Sequence, residues 1–87
     1  MAHAEAREAL TVDVPDGRVV IAPLFGPQDT HRRFLEKRLD VRIKARGERI
    51  TITGKAERVR FAKRAIDELI ALIKSGAPLF LQDVEQA

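Results

Sequence analysis

Two histidines, no cysteines and thirteen carboxylates are the whole supply of metal-ligating and acid–base groups in this 87-residue chain. A metal centre needs three or four ligands that converge. His3 and His31 stand far apart with no ligand cluster around either, so both are expected as solvated side chains and no metal ligand is assigned. Without cysteine there are no thiolate nucleophiles and no disulfides. Asp67 and Glu68 are adjacent in a helical stretch, and neighbouring positions diverge around a helix axis, which rules out a carboxylate dyad. No Walker A loop, nucleophile elbow or HExxH pattern is present, so no catalytic residue is assigned either. The chemistry that remains is binding.

The segment Gly26-Pro27-Gln28-Asp29 has the make-up of an anion-facing loop. Glycine ahead of a helix lets backbone approach a phosphate, and the helix N-terminus favours negative charge there. Arg32 and Arg33 follow at once, and Arg42, Lys44 and Arg46 come next at alternate positions. Between Thr30 and Arg64 there are 13 basic and 4 acidic side chains, a net +9, which leaves −6 on the flanks of a chain whose total is +3. A basic middle with acidic ends suits a polyanion. Gly26, Pro27, Gln28, Asp29, Arg32, Arg33, Arg42, Lys44 and Arg46 are therefore the candidate contacts to a single-stranded RNA backbone.

The elements that must position these residues follow from periodicity. Ala9 to Val14 alternates as a half-buried strand, stopped by Pro15-Asp16-Gly17. Arg18 to Phe25 is ambiguous: Val19, Val20 and Ile21 favour a strand, whereas Asp16 is placed to cap a short helix. Asp29 is placed to cap Thr30 to Leu39, whose apolar face is Phe34, Leu35 and Leu39. Val41 to Arg46 and Arg49 to Gly54 form an antiparallel hairpin. Val41, Ile43, Ala45, Ile50 and Ile52 point inward, while Arg42, Lys44, Arg46, Thr51 and Thr53 point outward. Lys55 to Lys74 is a helix with a stripe of Val59, Ala62, Ile66, Leu69, Ile70 and Ile73, widened by Phe61, Ala65 and Leu72. Phe34 and Phe61 are expected inside, which leaves little for nucleobases to stack on. Leu79 to Ala87 reads as a turn entering another helix. No apolar run reaches the ~18 residues of a membrane span, and the first ten residues lack the pattern of a secretory signal. A cytoplasmic location and no membrane partner are therefore expected.

Phe25 to Ile43 resembles the core of a KH domain: an apolar residue, a glycine loop, a helix carrying Leu35-Glu36, and the strand Val41-Arg42-Ile43. Within that group, LFGPQD, LEKRLDVRIKARGERITITG and PLFLQDVEQA are similar to the N-terminal domain of PhoH-like ATPases. The resemblance implies an α+β, type I-like KH order, β-α-α-β-β-α, with a three-stranded antiparallel sheet covered on one face by helices. It makes Arg18 to Phe25 a helix. It also divides the chain into a flexible start (1–8), a KH-like domain (9–76) and the beginning of a linker or helix (77–87) towards an ATPase domain. ATP and magnesium are implied only for that ATPase domain, and no cofactor for this segment. Asp29 stands where the second loop glycine of a KH domain falls, and Pro27 removes an amide donor. Two functions follow. One is an RNA-binding accessory domain that meets single-stranded RNA and the ATPase domain of its own chain, with homo-oligomers of the parent allowed. The other is a degenerate KH module used for protein–protein or inter-domain assembly without RNA.

Overall fold

Alternating apolar residues on three strands and one long apolar helical stripe have a single compatible packing, a sheet with helices on one face. The computed structural model describes residues 7–86. The elements are β1 (Arg7–Asp13), α1 (Gly17–Phe25), α2 (Thr30–Leu39), β2 (Val41–Arg46), β3 (Arg49–Lys55), α3 (Ala56–Lys74) and α4 (Leu81–Gln86), with a 3-10 turn at Pro27–Asp29. The sheet is antiparallel throughout, in the order β1-β3-β2. Val12, Ile43, Ile50 and Ile52 face the helices and meet Val59, Ala62, Ile66 and Leu69 of α3 in one core.

The strand starts at Arg7, earlier than its alternation suggested, because Arg7 pairs with Lys55 and Glu8 with Gly54. Of the expected flexible start, residues 1–6, His3 among them, lie outside the described residues. At the other end, Val84 of α4 is 2% exposed within the core. The packed unit thus extends past residue 76, and α4 lies back against α2.

Helix α1 resolves the ambiguous stretch. Gly17, Val20 and Leu24 are buried and Ile21 and Phe25 half-buried, a spacing that only a helix brings to one side. Tertiary burial overrides the strand propensity of its β-branched residues. Its entry is set from the hairpin: Glu48 accepts from the Val14 amide at 2.7 Å through its carbonyl and from the Asp16 amide at 3.2 Å through its carboxylate.

Three expected inward residues lie outward, and one expected outward residue is buried. Phe61 is 57% exposed and Leu72 is exposed, because each sits at the margin of the α3 stripe. Ala45 is exposed because it opens onto the groove beside α1. His31, expected in solvent, is 5% exposed. Its Nδ1 lies 3.2 Å from the Pro23 carbonyl oxygen. In a continuing helix that carbonyl would accept from residue 27, but Pro27 has no N–H. The imidazole takes the place of the missing donor.

Candidate nucleic-acid interface

The loop at Gly26 is shaped by backbone that few residues adopt. Gly26 has φ 77° and ψ 174°, a region open almost only to glycine. A Cβ there would come within 2.6 Å of the His31 ring. Gln28 and Asp29 are both left-handed, at φ 55° and 60°. The loop's polar groups are turned inward. The amides of Gly26 and Asp29 donate to Ala22 and Gly26 carbonyls, and Thr30 donates to the Pro27 carbonyl through both its amide and, at 2.8 Å, its hydroxyl. Asp29 is the N-cap residue of α2 but makes no side-chain cap bond.

The two loop-side arginines are engaged as well. Arg32 meets Asp29 at 3.2 Å and Glu36 at 3.1 Å, and its guanidinium lies 5.9 Å from the centre of the Phe25 ring. Glu36 in turn accepts the edge amide of Ile43 at 2.8 Å. A chain of charge-assisted bonds thus ties the loop, α2 and the outer edge of β2 together. Arg33 donates to the Gln28 carbonyl. The groove beside the loop, about 480 Å³, is lined by Ile21, Ala22, Phe25, Ala45, three glycines and Asp29. Its lining carries no cation, and its one formal charge is the Asp29 carboxylate.

The open face of the sheet is different. Register places Ala9, Thr53 and Arg42 in one row, Thr11, Thr51 and Lys44 in the next, and Asp13, Arg49 and Arg46 in a third. Threonines form the centre and cations the β2 edge. Arg42, Lys44 and Arg46 are all exposed. Among the described residues none of the three has an ion-pair partner. Side chains two apart on a strand are about 6.8 Å apart, so the three cations form a straight, evenly spaced row. A shallow depression lined by Arg42, Lys44, Arg46, Thr51 and Thr53 runs along it. Arg49, at the far end of the rows, is paired with Asp13 at 3.2 Å.

The nine expected contact residues therefore divide. Gly26, Pro27, Gln28, Asp29, Arg32 and Arg33 lie on the helix side, bonded largely to one another. Arg42, Lys44 and Arg46 lie on the opposite face of β2. Sequence reasoning missed Glu36 as the partner that removes Arg32 from solvent, although the spacing Asp29-x-x-Arg32-x-x-x-Glu36 is that of helical ion pairs. It also missed Arg49 on the sheet face, which the parity of β3 marks. Among the described residues no group of three His, Cys, Asp or Glu is placed to hold a metal ion, and no helix is long and apolar enough to cross a membrane.

No family model matches the chain. Individual relatives do. A PhoH-like protein of Mycobacterium leprae is 41% identical over 69 residues, covering 79% of this chain and 19% of that protein. PhoH-like proteins of Mycobacterium tuberculosis are 38% identical over 77 residues, and that of Bacillus subtilis is 39% identical over 61. The chain spans about a fifth of the length of these relatives, 19–21%. Among solved structures, a protein of unknown function from Aeropyrum pernix superposes with a TM-score of 0.77 at 21% identity, covering 95% of this chain and 45% of that one. Dim2p from Pyrococcus horikoshii superposes at 0.71 with 19% identity, covering 93% and 49%. These two likenesses establish the fold. The sequence identities establish kinship, and most of this chain is homologous to a segment of the PhoH-like family.

Proposed function

We propose that this chain is a KH-like, RNA-binding accessory module of a PhoH-like ATP-binding protein, one that holds the backbone of single-stranded RNA. The observation that supports it best is the row Arg42, Lys44 and Arg46, exposed on an open sheet face and without ion-pair partners among the described residues. Unneutralised cations at even spacing attract phosphates through counterion release, without regard to sequence. Thr51 and Thr53, beside them in the register, supply hydroxyls to phosphate or sugar. In this reading the Gly26 loop and the Asp29–Arg32–Glu36 chain brace the edge of β2 from behind. ATP and magnesium would be handled by an ATPase domain elsewhere in the parent protein, and the setting is the cytoplasm.

The test is fluorescence anisotropy of a labelled single-stranded RNA titrated with the chain at low and at moderate salt. Binding at low salt that weakens steeply as salt rises is the expected result. No binding at low salt would remove the proposal. In that case a second reading, an assembly module that keeps the shape without RNA, takes over. Asp29 supports it, since a carboxylate stands in the groove where a phosphate-binding loop needs none.

A further inference from the structure

A single exposed aromatic ring with cations on either side is the simplest device for holding an unpaired base. The stacking face takes the base, and the cations take the flanking phosphates. Composition suggested that the module lacked one. The structure contains one at the junction of α2, α3 and α4. Phe61 is 57% exposed on α3. Beside it Phe34 is half-buried, with the Arg38 guanidinium 5.8 Å from the centre of its ring. Arg58 stands one turn before Phe61 and joins the lining of the same cavity, of about 230 Å³. Arg38 and Arg58 are exposed and, among the described residues, have no ion-pair partner. Glu85 is the one carboxylate in the lining.

The position of this cavity follows from the register. β2 begins where α2 ends and β3 ends where α3 begins, and Val41 pairs with Gly54 and Arg42 with Thr53. The last turn of α2, with Arg38, and the first turn of α3, with Arg58, thus lie at the same end of the sheet as Arg42. The cation row Arg46, Lys44, Arg42 leads along the open face of β2 to that end, and Arg38, Arg58 and the Phe61 ring lie on the helix side of the same end. An apolar peptide helix would need a groove several turns long. Beside Leu35, Leu39, Val84 and Glu85, this cavity offers two rings and two guanidinium groups, which suit one base and its phosphates.

We infer that Phe61, with Phe34, Arg38 and Arg58, forms a nucleobase-stacking pocket in which a strand of RNA ends its path along β2. The inference rests on the RNA-binding reading above, and the experiment separates the two. The chain has no tryptophan or tyrosine, so Phe61→Trp introduces a single reporter at the pocket. A labelled oligouridylate is titrated against wild type, Phe61→Ala, Phe61→Trp and an Arg42→Ala/Lys44→Ala double variant. Phe61→Ala is expected to weaken binding about five- to a hundredfold, the cost of unstacking one base, with the salt slope unchanged. Phe61→Trp is expected to keep the affinity and to show quenched emission as RNA is added. If Phe61→Ala binds as wild type and the Phe61→Trp emission is indifferent to RNA, while the double variant is weakened, the pocket inference falls and the backbone reading stands. If wild type itself fails to bind, both fall.

Discussion

The loop side and the open face of the sheet carry similar numbers of arginines, yet they differ in how those arginines are engaged. On the loop side Arg32 lies between Asp29 and Glu36, and Arg33 is turned onto the Gln28 carbonyl. On the sheet face Arg42, Lys44 and Arg46 stand in line, the first two opposite Thr53 and Thr51 and the third opposite Arg49. The difference shows that a count of basic residues is a poor guide to a binding surface. What matters is whether each cation has a carboxylate within reach of its own helix turn or strand row. It also separates two jobs. Under the proposed RNA-binding role, the loop side would contribute stability and placement and the sheet face would contribute field.

Three variants break or sharpen that contrast. The largest effect is expected from Gly26→Ala. The added methyl meets the His31 ring at 2.6 Å, and the backbone is in a region that strains any side chain. A loss of roughly 2–4 kcal/mol, or about 10–25 °C in Tm, should appear in thermal or urea unfolding. An unchanged Tm would mean the loop is not a structural brace. Next is the triple variant Arg42→Ala/Lys44→Ala/Arg46→Ala. Its Tm should stay within a few degrees of wild type, since all three side chains are exposed and have no ion-pair partner among the described residues. The slope of log affinity against log salt should fall by about 2, at ~0.7 for each phosphate that is no longer neutralised. An unaltered slope would move the RNA off the sheet face. The smallest effect is expected from Asp29→Gly. Glycine accepts φ 60° without strain, and an ion pair this exposed contributes about 0–1 kcal/mol. RNA affinity should change less than about twofold. A marked tightening would show that the loop, not the sheet, meets the phosphates.

Much of the architecture was legible because periodicity is a local signal. The alternation in Val41 to Arg46 and Arg49 to Gly54 specified the hairpin, and with it the outward face of Arg42, Lys44 and Arg46. The stripe from Val59 to Ile73 specified the long helix and its buried side, of which Ile73 is only half-buried. Helix α1 was less plain, since Val19, Val20 and Ile21 carry strand propensity, and the burial of Val20 and Leu24 decided it. The candidate site was legible in its parts but not in its assembly. Parity says which way a side chain points from its own strand; it does not say that the Gly26 loop comes to rest behind that strand.

The outward face of the β2 cations was therefore settled by the chain itself, through residue type and spacing. The fates of His31 and Phe61 were settled only by packing. His31 is buried because Pro27 leaves a helix carbonyl without a donor and the turn brings the imidazole to it. Phe61 is exposed because the apolar stripe around it is already filled by smaller residues against the sheet, which leaves the large ring at the margin. Each outcome depends on what lies across a gap in space, and one-dimensional spacing holds no record of that distance.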